Sequence, residues 1–187
     1  MTGLTTHLVV TLLCDRNCPL CCNRQWDMIN LPYITDEELK QTEMLCITGG
    51  EPFAYSDPVA IAAYYREKYP NIKYCTAYTN AYELWDNRHK LDHKLSWGHN
   101  DYYDIVDGLN ISIKDERDII ALQNLLNSTL IADRLLMNRL YIFPNVWDKT
   151  IEVLDKYPEE KEKFEIIRRE WQENFVPAPN CIFRRGA

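Results

Sequence analysis

The stretch His7-Leu8-Val9-Val10-Thr11-Leu12-Leu13 is a short run of apolar and β-branched residues that leads directly to Cys14. A run of this kind, free of glycine and proline, predicts a buried β-strand. Two more cysteines follow at Cys18 and Cys21, so the loop after the strand has the spacing C-x3-C-x2-C. We therefore expect a buried strand whose carboxyl end continues into a cysteine-rich loop.

Strands and helices alternate along the rest of the chain. After the first strand, strands are predicted at residues 44–48, 72–79, 104–114 and 139–143. Helices are predicted at residues 35–42, 58–69, 82–95, 116–126, 146–157 and 159–174, and the tail from Val176 is expected to be irregular. This alternation is typical of parallel βαβ units. Five strands are too few for an eight-stranded barrel, so we predict an α/β fold, an open partial (βα) barrel of about five to six parallel strands.

Length and charge limit the functional classes. A chain of 187 residues with 46% hydrophobic content predicts a single domain, with core βα units at 1–146 and a helical extension and tail at 147–187. The net charge of −7 argues against a general nucleic-acid-binding protein. The apolar run at 8–13 is too short for a membrane span and lacks the flanks of a signal peptide. We expect a soluble, cytoplasmic protein.

The most informative polar residues come directly after predicted strands. Cys14, Gly49 and Asn80 each follow one of the first three strands. Because function in parallel α/β folds collects at the carboxyl ends of strands, these positions are candidate site residues. Gly49-Gly50-Glu51-Pro52 can be an ordinary tight turn, or a turn whose backbone approaches a ligand closely. In the second case the Glu51 carboxylate can accept hydrogen bonds from an ammonium group.

The cysteine loop is most simply interpreted as a metal site. The total of seven cysteines is odd, and three of them lie within eight positions, which favours metal ligation over disulfides. Structural zinc is one possibility, with Cys22 as a fourth thiolate, but zinc sites usually pair two C-x2-C half-sites or add histidines. The other possibility is an iron–sulfur cluster. Three thiolates on a four-iron cluster leave one iron open for an outside ligand.

Residues 14–21 and 48–52 together resemble the signature of the radical S-adenosylmethionine (radical SAM) enzymes. The resemblance implies a [4Fe–4S] cluster whose open iron is chelated by SAM. It also implies that the Gly-Gly-Glu-Pro turn binds the methionine amino group. Reductive cleavage of SAM would give a 5′-deoxyadenosyl radical that abstracts hydrogen from a substrate, with electrons from a flavodoxin or ferredoxin.

The fourth predicted strand adds polar residues to this set. Asn110, Ser112 and Lys114 alternate with apolar residues and therefore share one face of the strand. That face can simply be solvated. The resemblance instead implies SAM contacts for Ser112 and Lys114, near the ribose. The full set of cofactor-binding residues implied in this way is Leu20, Cys22, Gly49, Gly50, Glu51, Asn80, Ser112 and Lys114, with Cys14, Cys18 and Cys21 as the metal ligands.

Residues 18–27 resemble the cluster loop of the glycyl-radical-enzyme activating enzymes, which carry Asn-Arg shortly after the third cysteine. Such enzymes act on a protein partner, so a glycyl-radical enzyme is the implied substrate. The chain departs from their pattern because Cys22 replaces a histidine and Leu20 replaces an aromatic residue. No glycine lies between Gly108 and Gly186, so a glycine-bearing adenine site is absent or remodelled.

Two other functions are compatible with the sequence. One is a radical SAM modifier of a peptide or small molecule, of nucleotide or deazapurine type. The other, from a different class, is a non-enzymatic binding module stabilised by a metal.

Several residues outside the motifs have simpler interpretations. Cys46 and Cys75 lie in apolar strands and are expected to be small core residues. His89 and His93 have metal-like spacing but no third ligand in view, so they are expected on a solvated helix face. The tail arginines Arg184 and Arg185 either contact an anionic substrate or belong to a frayed terminus.

Overall fold

The computed structural model describes residues 3–18, 21, 23, 27–91, 105–128, 137–170 and 177–186. Its strands are β1 (Leu4–Thr11), β2 (Thr42–Gly49), β3 (Tyr74–Asn80), β4 (Gly108–Ile113), β5 (Asn138–Ile142), β6 (Phe164–Arg168) and β7 (Cys181–Arg185). Its helices are α1 (Asp36–Gln41), α2 (Pro52–Tyr55), α3 (Pro58–Lys68), α4 (Ala81–Asp86), α5 (Glu116–Leu126), α6 (Trp147–Leu154) and α7 (Pro158–Lys161), with 3-10 turns at Arg88–Leu91 and Pro144–Val146.

The seven strands form an open, parallel sheet in the order β6-β5-β4-β3-β2-β1-β7. The α/β class and an open rather than closed arrangement of parallel strands, both predicted from the sequence, are therefore confirmed. All five predicted strands occur, but the predicted total of five to six is too low. Among the helices in the described ranges, none is long and apolar enough to cross a membrane.

β6 replaces part of a predicted helix. Residues 159–174 are rich in Glu, Lys and Arg, which favours a helix when the segment is read alone. The structure has only the short helix α7 there, followed by β6, which pairs in parallel with β5. Phe164 is buried beside the exposed Glu165, the alternation of a half-buried strand. Pairing with a strand distant in sequence has overridden the local helix propensity.

β7 lies in the tail, for which the sequence predicts irregular structure. It pairs in parallel with β1, in a register that places Phe183 beside His7. The backbone N–H of Gly186 then donates to the Val9 carbonyl at 2.9 Å, which extends the ladder by one bond. A five-residue strand has little local signal, and its stability comes from the hydrogen bonds that β1 supplies.

Contacts group the chain into two compact units, Met1–Tyr78 with Trp171–Ala187, and Thr79–Glu170. In the first unit β1 lies between β2 and β7, and β2 pairs with β3. Fully buried side chains fill one face of these strands: Leu8, Leu45, Ile47, Cys75 and Ala77. Alternate residues face the other side, so the unit has one apolar sheet face and one mixed face.

The second unit contains the parallel strands β4, β5 and β6. Helix α5 contacts both β4 and α6. The apolar side chains of β4 and β5 are completely buried: Leu109, Ile111, Ile113, Leu140 and Ile142. Asn110 and Ser112 alternate with them along β4, so this unit also has a second sheet face of different character.

Candidate functional site

The cysteine loop leaves β1 at its carboxyl end. Cys14 is exposed, while Cys18 and Cys21 are half-buried. The predicted site residues Leu20 and Cys22 lie outside the described residues. β1 ends at Thr11, and Cys14 follows three residues later. The sequence prediction that the first strand leads directly into the cysteine loop is therefore confirmed.

The Gly-Gly-Glu turn after β2 is joined to the start of this loop by backbone hydrogen bonds. The N–H of Gly50 donates to the Thr11 carbonyl at 2.8 Å, and the N–H of Glu51 donates to the Leu13 carbonyl at 2.9 Å. From farther along the loop, Asn23 Nδ2 donates to the Gly49 carbonyl at 2.5 Å. Three hydrogen bonds therefore hold the two predicted motifs against each other within the first unit.

The double glycine is required by this close approach. Gly49 has a φ of +149°, a conformation that favours glycine. A Cβ atom on Gly49 would overlap the Thr11 carbonyl oxygen, and one on Gly50 would overlap the carbonyl oxygen of Leu13. The turn therefore needs two glycines so that the chain's own backbone can pass, whether or not a ligand is bound.

Glu51 has a defined position at the end of the turn. It is 2% exposed, and its carboxylate accepts a hydrogen bond from the Phe53 N–H at 3.3 Å as the N-cap of α2. Phe53 is completely buried and fixes the start of that helix. This capping hydrogen bond orients the Glu51 carboxylate. The contact between that carboxylate and an ammonium group stays a prediction.

The chemistry of the donors fits an iron–sulfur cluster. Three cysteines on one loop are the ligands that a four-iron cluster with one open iron requires. In the part of the chain that the structure describes, no three Cys, His, Asp or Glu side chains are grouped closely enough to hold a metal ion.

The predicted SAM contacts beyond the loop lie in the second unit, at the ends of β3 and β4. Asn80 is completely buried and its Oδ1 accepts the Glu83 N–H at 2.9 Å, which caps α4. Ser112 and Lys114 are half-buried. The carbonyl of Lys114 accepts a hydrogen bond from Asn145 Nδ2 at 3.1 Å, so the backbone after β4 is fixed.

A buried carboxylate that the sequence did not single out joins these two strand ends. Asp118 in α5 is completely buried. Its Oδ1 accepts the Tyr82 N–H at 3.1 Å, and its Oδ2 accepts the Lys114 N–H at 2.9 Å. The spacing of Asp115, the N-cap of α5, and Asp118 three residues later is a capping signal. That signal predicts a helix start and gives no hint of the contact to Tyr82.

The mixed face of the first unit carries a row of four side chains across β7, β1, β2 and β3: Phe183, His7, Cys46 and Thr76. The His7 ring stacks on Phe183 at 4.4 Å between centroids and lies 5.6 Å from the Tyr78 ring. Burial lowers the pKa of His7 to about 4, because a charged imidazolium would lose its hydration there. His7 is therefore neutral at pH 7.

The two tail arginines have partners within the fold. Arg184 donates from Nε and Nη2 to Glu38 Oε1, at 2.8 and 2.6 Å. Arg185 donates to the Ile29 carbonyl at 3.1 Å, and its guanidinium lies 5.0 Å from the Tyr33 ring centroid. The expectation of a frayed terminus is therefore wrong for Cys181–Arg185, since these side chains and the strand itself are held.

The simpler sequence interpretations are confirmed where the structure describes them. Cys46 and Cys75 are buried, with 4% and 0% of their surface exposed. His89 lies on a 3-10 turn, and His93 lies outside the described residues. Burial raises the pKa of the Cys181 thiol, which makes that cysteine less reactive.

No model of a known protein family matches the chain, and no curated protein is significantly similar to it in sequence. The functional argument therefore depends on the two motifs and on the geometry around them.

Proposed function

We propose that the chain is a cytoplasmic radical SAM enzyme. One observation carries the proposal: three cysteines follow β1 at the same edge at which the Gly-Gly-Glu turn follows β2. The turn and the loop are joined by the hydrogen bonds of Gly50, Glu51 and Asn23. A structural metal clip would account for the cysteines alone, whereas the radical SAM resemblance includes both residues 14–21 and residues 48–52.

The roles of individual residues follow from their positions. Cys14, Cys18 and Cys21 would hold a [4Fe–4S] cluster, and the oriented carboxylate of Glu51 would accept hydrogen bonds from the SAM ammonium group. When bound, the reduced cluster supplies the electron that cleaves the carbon–sulfur bond of SAM to give the 5′-deoxyadenosyl radical.

The residues proposed to contact SAM in the second unit are Asn80, Ser112 and Lys114, with Lys114 held by its backbone. Leu20 and Cys22 belong to the proposed cofactor loop by the resemblance alone.

For the substrate we propose a glycyl-radical-type protein partner, with a flavodoxin or ferredoxin as the electron donor. The resemblance of residues 18–27 to the activating enzymes supports this choice. Arg184 and Arg185 lend no support to an anionic small substrate, because both bind groups of the fold. A modifier of a peptide or small molecule, of nucleotide or deazapurine type, is the alternative enzyme, and a metal-stabilised binding module is the alternative of another class.

Anaerobic reconstitution with iron and sulfide tests the cluster. We expect brown protein with about four irons per chain, and slow release of 5′-deoxyadenosine when SAM and a strong reductant are added. Cys14→Ala should lose the iron. Cys46→Ala and Cys75→Ala are matched controls that should keep it, since both thiols are buried in strands. Stoichiometric zinc without iron would instead support the binding module.

Equilibrium binding of SAM tests the cofactor contacts. Glu51→Gln should weaken SAM binding because a carboxylate acceptor becomes a neutral amide. Lys114→Ala should cost about one hydrogen bond, on the order of 1 kcal/mol. Lys149→Ala, which removes an exposed lysine from the same unit, is the control for the loss of charge. If the wild-type protein and the three variants bind SAM with equal affinity, Glu51 and Lys114 do not contact SAM.

A further inference from the structure

Asn110 carries a buried polar atom that the fold does not use. The residue lies in β4 and is 1% exposed. Its carboxamide oxygen Oδ1 is fully buried and has no hydrogen-bond partner in the part of the chain that the structure describes. Because buried polar atoms in native proteins are nearly always satisfied, an orphaned acceptor at the centre of a strand needs a physical explanation.

Two hydrogen-bond donors of residues next to Asn110 in the sheet have other partners. Arg139 is the neighbour of Asn110 on β5, but its Nε donates to Glu165 Oε2 at 2.7 Å. The N–H of Leu109 donates to Asn138 Oδ1 at 3.2 Å. The carboxamide oxygen of a second buried asparagine in the same unit thus serves the fold, while that of Asn110 does not.

Asn110 lies on the face of β4 that also carries Ser112. The opposite face consists of Leu109, Ile111 and Ile113, which are completely buried, and α5 contacts this strand. Ser112 lies about 7 Å farther toward the carboxyl end, since two residues of a strand span that distance. The unpaired oxygen of Asn110 therefore lies on the same face of β4 as Ser112, a residue proposed to contact SAM, but farther from the carboxyl end of the strand.

We propose that Asn110 binds the substrate through its carboxamide, and that the substrate presents a neutral N–H donor beside an acceptor. A carboxamide offers an acceptor and donors side by side, so its complement is an amide edge or the edge of an amino-heterocycle. The group should be uncharged, because an ion would lose its hydration at a buried position. This inference rests on the proposed function for the identity of the neighbouring cofactor.

Unfolding experiments test whether the oxygen serves the fold. Asn110→Leu removes the carboxamide at similar volume and should leave the thermal unfolding midpoint unchanged or raised, because no hydrogen bond to the oxygen is lost. Asn138→Leu is the matched control and should lower the midpoint, since it orphans the Leu109 N–H. A fall in the midpoint of Asn110→Leu comparable to that of the control would show a structural role and overturn the proposal.

Ligand binding tests the substrate class in the reconstituted protein with SAM present. The probes are N-acetylglycinamide for a peptide source and 2-aminopyrimidine for a heterocyclic source, each followed by saturation-transfer NMR. Pyrimidine and N,N-dimethylacetamide, which lack the N–H group, are the controls. We expect at least one probe to bind the wild-type protein and to lose at least ten-fold in affinity in Asn110→Leu, while the controls do not bind.

The probe that binds identifies the source of the N–H group. If neither probe binds the wild-type protein, or if the variant binds them equally well, Asn110 has no such role. SAM cleavage by the same wild-type preparation is measured separately. Absence of that cleavage would remove the proposed function, while the unfolding and probe experiments would still decide the role of Asn110.

Discussion

The carboxylate of Asp118 accepts the backbone N–H of Lys114 at 2.9 Å, so the first turn of α5 is tied to the end of β4. The other carboxylate oxygen accepts the Tyr82 N–H at the start of α4. One side chain therefore fixes the backbone that follows β3 and the backbone that follows β4. The three residues proposed to contact SAM at these strand ends, Asn80, Ser112 and Lys114, lie at these hydrogen bonds or within two residues of them.

Asp118→Asn should destabilise the protein. One of its oxygens becomes an NH2 group that faces a backbone N–H, so a hydrogen bond to a charged acceptor is lost and a buried donor is orphaned, for a cost of about 2 kcal/mol. Chemical denaturation measures the loss. Hydrogen exchange should show faster exchange at the Tyr82 and Lys114 amides. Asp115→Asn is the control, because asparagine caps a helix nearly as well as aspartate.

Gly50→Ala should lower the free energy of unfolding far more than Gly186→Ala does. The new Cβ would overlap the Leu13 carbonyl oxygen, which itself accepts a hydrogen bond from Glu51. Displacing the backbone should cost about 2 kcal/mol and should reduce iron incorporation by moving the loop. Gly186→Ala is the control, since the nearest atom to its Cβ would be 3.7 Å away. Equal stability of the two variants would contradict the close approach.

Much of the fold can be predicted from patterns that are local in the sequence. The capping box of Thr35 and Glu38 begins α1, and Asp57 followed by Pro58 begins α3, as predicted. Strands β1 to β5 are apolar runs bounded by polar or turn residues. β6 lies in a charged segment that favours a helix when read alone, and β7 pairs with a strand at the other end of the sequence. Local propensity cannot predict such strands.

The candidate site likewise has features that the sequence predicts and features that it does not. Cys14, Gly49, Asn80 and Lys114 each lie at or just after the end of a predicted strand, so their places at strand ends could be assigned from the sequence alone. The side chain that ties two of these ends together could not be predicted. Asp118 accepts hydrogen bonds from backbone N–H groups outside its own helix, and no local sequence pattern predicts such a contact.

The ion pair between Glu38 and Arg184 should make stability fall in acid. Hydrogen bonds from Arg184 hold the pKa of Glu38 below its usual value of 4.5. A lowered pKa in the folded state stabilises the protein above the unfolded value, and the stabilisation is lost as the pH falls through the folded value. The half-buried pair should contribute about 1 kcal/mol.

Denaturation of wild-type protein and Glu38→Gln as a function of pH measures this contribution. The free-energy difference should be constant above pH 5 or so, roughly where the unfolded carboxyl is fully ionised, and should shrink at lower pH. Glu37→Gln changes an exposed neighbour on the same helix turn and should give no such trend. A difference independent of pH down to the acid transition would show that Arg184 does not stabilise the charged form.

His7 should produce a second loss of stability at a higher pH. Burial lowers its pKa from 6.5 to about 4, with its ring packed against Phe183 and Tyr78. The unfolded chain therefore binds a proton that the folded protein excludes, and stability falls as the pH drops from 6.5 toward 4. The full loss in the free energy of unfolding is on the order of 3 kcal/mol.

The variant His7→Phe isolates this contribution, because it keeps an aromatic ring in the stack and cannot titrate. It should remove this part of the pH dependence while retaining the stability at pH 7. Denaturation at several pH values measures the slope, and NMR of the His7 ring protons gives its pKa directly. If the ring titrates near 6.5, or if His7→Phe leaves the slope between pH 6.5 and 4 unchanged, the imidazole is not desolvated on this face, since burial is the cause of its lowered pKa.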